Sequence, residues 1–113
     1  MRERRPSATQ SLDELRRRHG DLRVVAPART KQALISAIYL ALDAPGYAAE
    51  NYDALADIVN DLGWLPAGPV RLAWVTNPAL AAGVRRQVLE ILTDAARESA
   101  RSKRPLTVHL VTG

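Results

Sequence analysis

Apolar positions along this chain fall into runs of two kinds. Leu22-Arg-Val-Val-Ala26, Val70-Arg-Leu-Ala-Trp-Val75 and Leu106-Thr-Val-His-Leu-Val111 are short, rich in β-branched residues and bounded by turn formers, which predicts three strands. Between them the period changes to that of a helix. Thr30 is a good N-cap for a helix from Lys31 to about Asp43, with Leu34, Ile38, Ala41 and Leu42 as its core stripe and Pro45 barring continuation. Asn51 then caps a second helix, Tyr52 to Leu62, which Gly63 is expected to stop; Tyr47 to Glu50 form the loop before it. Pro66-Ala-Gly-Pro69 resets the chain direction. A third helix is expected to start at Asn77-Pro78, with Pro78 at its first position, and to run through Val84, Val88, Leu92 and Ala95 to about Ser102, before Arg104-Pro105 ends it. Strands separated by helices connect most economically by right-handed crossovers, so the predicted class is α/β, a small three-stranded parallel sheet packed with helices.

The second helix is the unusual one. Tyr52, Leu55, Val59 and Leu62 share one face, while Asp53, Asp57 and Asp61 follow one another at four-residue spacing on the opposite face. An acidic outer face is ordinarily just a solvated surface. Like charges at i, i+4 repel by about a few tenths of a kcal/mol per pair, however, and a helix selected for stability alone would intersperse Lys or Arg. Between Lys31 and Arg71 there is no basic residue at all, although Asp43, Glu50, Asp53, Asp57 and Asp61 fall there. The stripe therefore reads as reserved for an external cation. Tyr47 and Trp64 flank it, and aromatic residues of this kind anchor interfaces.

Charge and composition narrow the class further. The formal charge of +4 would suggest an acidic partner, but residues 1–20 hold six arginines against three acids, leaving a net charge of only +1 for residues 21–113. Two segments are accordingly expected: a flexible basic extension over 1–20 and one folded domain over 21–113. Within the extension, Ser11-Leu-Asp-Glu14 has capping-box spacing, which allows a short helix. The absence of cysteine excludes disulfides, thiolate metal sites and Cys nucleophiles, and no run approaches a membrane span. The expected location is the cytoplasm.

Catalytic constellations are not apparent. His19 lies among arginines and His109 within a strand, neither with a carboxylate at metal-ligand spacing, so no metal and no cofactor is expected. Asp53 with Asp57 or Glu50 could form a glycosidase-like carboxylate pair, but one small domain leaves little room for a sugar cleft. The chain is not expected to be an enzyme.

The pattern Tyr47-x-x-Glu50-Asn51-x-Asp53-Ala54-Leu55-x-Asp57, followed by Gly63-Trp64, resembles the signature of the barstar family, intracellular inhibitors of barnase-like ribonucleases. The resemblance implies that the acidic helix and loop block the enzyme's RNA-binding cleft by mimicking phosphates, in an immunity or antitoxin role. It implies that Asp57 is the most deeply inserted carboxylate, that Asp53 pairs with a cleft-lining Arg, that Tyr47 packs near the enzyme's catalytic histidine, and that Trp64 closes the far side of the binding loop. Glu50, Asn51, Ala56 and Asp61 complete the partner-binding stretch, and Asp94 and Glu98 align with carboxylates at the rim. Arg97 and Arg101 stand three residues after Asp94 and Glu98, so ordinary helix pairing also accounts for those two acids.

The sequence departs from the family pattern at three places. Ala56 stands where Trp is usual, Ala49 where the binding loop has Gly, and Asn60-Asp61-Leu62 lengthen the helix. These changes point to a ribonuclease related to barnase as the partner. The alternative is a small binding module acting through its arginine-rich tail on nucleic acid, although no aromatic residue interleaves those arginines to stack on bases, or acting on a partner that is not a nuclease.

Overall fold

The computed structural model describes residues 11–112. Seven elements follow in order: α1 (Leu12–Arg18), β1 (Leu22–Val25), α2 (Lys31–Ala41), α3 (Tyr52–Asp61), β2 (Val70–Val75), α4 (Ala82–Ser99) and β3 (Leu106–Val111). All strands are parallel in the order β1-β2-β3, with Leu72 of the central strand opposite Arg23 on one side and Val108 on the other. The expected class, a three-stranded parallel sheet packed with helices, is the one observed.

Strand alternation divides the apolar residues between two faces. Val25, Val70, Leu72, Trp74 and Leu106 point to the side covered by α2, α3 and α4, where Leu34, Ile38, Leu55, Val59, Val88 and Leu92 complete the main core. The opposite face is covered more thinly. There Leu15 of α1 is fully buried against Ala73 and Val111, with Leu12, Leu22 and Val75 beside it.

That contact corrects the N-terminal boundary. Residues 1–10 of the expected flexible extension lie outside the described residues, whereas α1 packs on the sheet through Leu12 and Leu15. Ser11 Oγ accepts from the Glu14 N–H and the Glu14 carboxylate accepts from the Ser11 N–H, each at 3.1 Å, and the second bond holds the Glu14 carboxyl below the usual range. Leu12 and Leu15, three apart, then supply an apolar edge to a helix otherwise rich in arginine.

Helix ends depart from expectation by a few residues, each for a local reason. α2 stops at Ala41, and Asp43 takes a left-handed conformation (φ 54°) that turns the chain into the loop. α3 is ended by Leu62 in the left-handed region (φ 55°), not by Gly63. Asn77 opens a turn instead of a helix: its side chain accepts from the Ala79 N–H at 2.9 Å, and α4 begins only at Ala82.

Candidate functional site

α3 is positioned by its apolar face. Leu55 and Val59 are buried in the core, and Asn51 caps the first turn by accepting the Ala54 N–H at 2.7 Å. That bond commits the side-chain oxygen of Asn51 to the helix. With the inner face set, Asp53, Asp57 and Asp61 must face out, and all three are exposed. Successive members are separated by about 6 Å along the axis.

None of the three takes part in an ion pair among the described residues. The salt bridges there are Arg23–Asp43, Arg71–Asp21 and Arg97–Asp94. Asp43, counted in the acidic stretch by sequence, is thus neutralised by Arg23, which reaches it at 3.1 Å and also donates to the Ala41 carbonyl at 3.0 Å. The cation nearest the start of the stripe, Lys31, lies 4.0 Å over the Tyr52 ring and pairs with no carboxylate there. Asp61 differs from its two neighbours, because one of its oxygens accepts the Gly63 N–H at 3.1 Å and so closes the turn after the helix.

The loop before α3 is held from α2. Tyr39 donates its hydroxyl to the Ala49 carbonyl at 2.7 Å, and Ser36 donates to Glu50 at 2.6 Å. Burial raises the Tyr39 phenol above its ordinary value, and the negative fields of Glu50 and Asp57 push it further the same way. Both carboxylates therefore act on one patch of surface. Tyr47 stands out of this loop at 90% exposure, one of two large apolar side chains so displayed among the described residues; the other is Leu40, at 81%. Sequence reasoning missed Ser36, Tyr39 and Leu40, although Tyr39 and Leu40 lie in the apolar run Ala37 to Leu42, and a leucine off the stripe of Leu34, Ile38, Ala41 and Leu42 is the available signal.

The remaining expected site residues divide between this face and structural work. Trp64 is half-buried and donates its Nε1–H to the Leu42 carbonyl at 2.9 Å, fixing the end of α3 to the end of α2. Ala56 is half-buried on α3, and its carbonyl accepts from Asn60 at 2.7 Å. Asp94 is held by Arg97 at 3.1 Å, the pairing its spacing allowed. Glu98 has no such partner among the described residues and lines a cleft with Asn60 and Asp61, which brings α4 to the C-terminal end of the stripe. The structure thus places Tyr47, Glu50, Asp53, Asp57, Asp61 and Glu98 on the exposed surface of the loop, α3 and the adjoining end of α4, while Asn51 and Trp64 support it.

Among the described residues there is no cluster of three or more His, Cys, Asp or Glu side chains able to hold a metal, and no helix long and apolar enough to cross a membrane. A family model described as Barstar (barnase inhibitor) matches residues 22–111. Neither curated proteins nor solved structures give a significant match. With nearly the whole folded body covered by that model, and with its parallel sheet and helices in place, the chain belongs to the barstar (barnase inhibitor) family, whose members are inhibitors and not enzymes.

Proposed function

We propose that this protein inhibits a barnase-like ribonuclease in the cytoplasm by presenting α3 and the loop before it as a substitute for RNA phosphates. The observation that carries the reading is the exposure of Asp53 and Asp57 on one helix ridge, outside any ion pair among the described residues and in a stretch without Lys or Arg between Lys31 and Arg71. A ribonuclease grips its substrate with Arg, Lys and His in a cleft. Carboxylates on a rigid rod offer those donors charge-assisted hydrogen bonds and exclude the substrate.

In this reading Asp57 occupies the deepest phosphate-like position and Asp53 pairs with a cleft arginine one turn away. Tyr47 packs against the enzyme beside its catalytic histidine, Glu50 flanks the entry, and Asp61 and Glu98 meet the rim, with Asp94 joining only by exchanging Arg97 for a partner cation. Ala56 leaves room between the two principal acids for a partner side chain. A standard interface buries roughly 800 Å² per partner, which a loop and one helix of this size can supply.

The test is RNA cleavage by barnase and by other barnase-like ribonucleases, at low and high salt, with wild type, the Asp53→Ala, Asp57→Ala double variant, and a chain lacking residues 1–10. Removal of 1–20 would be uninformative, since it also removes the buried Leu15. Inhibition by wild type and the shortened chain, weakened by salt and lost in the double variant, is the expected result. Failure of wild type to inhibit any of these enzymes, or full inhibition by the double variant, would overturn the proposal.

A further inference from the structure

A second concavity adjoins the acidic stripe. It lies between the C-terminal half of α2 and the loop that follows, has a volume of about 470 Å³, and is lined by Ser36, Leu40, Asp43, Pro45, Ala48 and Glu50 among others, with no Lys or Arg. Its size is in the range of sites that accept small ligands, roughly 300–1,000 Å³. The walls combine apolar side chains with the carboxylates of Asp43 and Glu50.

The state of each carboxylate is informative. Glu50 uses one oxygen, Oε2, to accept from Ser36, and its other oxygen has no partner among the described residues. Asp43 uses Oδ2 for Arg23 in the same way. Tyr39, which also lines the concavity, is fixed by its bond to the Ala49 carbonyl, so that part of the wall is preorganised. One of the two large apolar side chains left exposed among the described residues, Leu40, lines this concavity; the other, Tyr47, belongs to the loop whose Gly46 and Ala48 line it.

We propose that this cleft is a subsite for one arginine side chain of the basic partner, separate from the cations that α3 engages. The inference rests on the reading of the acidic face as a surface for a basic protein. An arginine suits the site on two counts. Its aliphatic stem covers Leu40 and Pro45, and its planar guanidinium, a fork of several donors, can donate to the free Glu50 oxygen at the same time. A lysine would bring its charge as a single point without the planar fork of donors, and a purely apolar side chain would leave the carboxylates facing a desolvated surface. The site would make the partner's choice depend on a residue outside its catalytic cleft, which is where related nucleases are free to differ.

The experiment needs no nuclease. Titrating the full chain with N-acetyl-arginine amide, and in parallel with the neutral isostere N-acetyl-citrulline amide, while recording amide chemical shifts, should move Ser36, Leu40, Ala48 and Glu50 with the arginine compound and at least threefold less with citrulline. Leu40→Ser and Glu50→Gln, both at exposed positions, should each weaken the arginine response about threefold or more, whereas Asp53→Asn should leave it in place. Equal responses to the two compounds, arginine shifts confined to Asp53 and Asp57, or indifference to Leu40→Ser would overturn the subsite. Such a result would leave the nuclease assay with the Asp53, Asp57 double variant unaffected, so the two proposals fail separately.

Discussion

Asp57→Asn should stabilise the free protein and weaken it as an inhibitor. Asp57 has like charges on its own ridge at both i−4 and i+4, Asp53 and Asp61, and no compensating ion pair among the described residues. Each like-charge pair on an exposed helix costs about 0.2–0.5 kcal/mol, so neutralising the middle member recovers about 0.4–1 kcal/mol, toward the lower end because solvent screens exposed charges. Asp57 lies mid-helix, where the macrodipole contributes little, and Asn and Asp have similar helix propensities, so neither effect reverses the sign. In a domain of this size about 1 kcal/mol moves Tm by roughly 4–8 °C, which predicts a rise of about 2–4 °C at low salt. The rise should shrink in high salt as the Debye length shortens. The same substitution removes one of the fields that raise the Tyr39 phenol, so ultraviolet titration should find that hydroxyl ionising at lower pH than in wild type. Against a ribonuclease that wild type inhibits, the loss should be about 30-fold or more, since removing one partner of a buried charge pair costs about 2 kcal/mol or more. A variant less stable than wild type at low salt would show that the carboxylate stabilises the fold. A variant more stable but equally inhibitory would show that the repulsion serves no partner.

Three other substitutions probe what holds this face in place. Leu15→Ala should cost about 2–5 kcal/mol by chemical denaturation, because Leu15 is fully buried against Ala73 and Val111; a change below about 1 kcal/mol would mean that α1 contributes nothing to the folded body. His109 ionises below its ordinary value of 6.5, first because of desolvation and then through His19, Arg71 and Arg18, and its Nε2 is buried without a hydrogen-bond partner among the described residues. Its neutral form is the one the fold favours, so this contribution to stability is complete above about pH 6.5 and is lost as pH falls toward the depressed folded value; between pH 7.5 and 5, wild type should lose Tm more steeply than His109→Leu, and parallel curves would refute the assignment. Gly63→Ala would place a Cβ 2.9 Å from Asp61 Oδ1, forcing that carboxylate off the Gly63 N–H, and should cost about 1 kcal/mol in equilibrium unfolding, whereas no loss would show that the turn stands without the Asp61 bond.

The elements that sequence predicted well are those whose period is imposed by burial. β2 buries one face against α2, α3 and α4 and the other beneath Leu15, and short apolar runs between turn formers, separated by helices, were enough to give a parallel α/β sheet. Leu15 was harder to see, because six of the first 20 residues are arginine and only Leu12 and Leu15 carry the contact; only the capping box at Ser11 hinted at structure there. The acidic ridge was legible for the same reason as the core, since a helix whose inner face is fixed by Leu55 and Val59 can only turn Asp53 and Asp57 outward. What periodicity does not contain is the identity of the nearest donor. Asp43, Asp57 and Asp61 look alike by type, yet Asp43 is met by a guanidinium arriving from β1 and Asp61 by the Gly63 amide, which reaches it because Leu62, not Gly63, adopts the left-handed conformation. Trp64 makes the same point from the opposite direction: as an aromatic beside an acidic helix it has the composition of a contact residue, but the Leu42 carbonyl 2.9 Å from its indole nitrogen commits that end of the ring to joining two helix ends. A residue's type therefore marks where recognition is chemically possible, and the backbone groups within its reach decide whether it is left free to recognise anything.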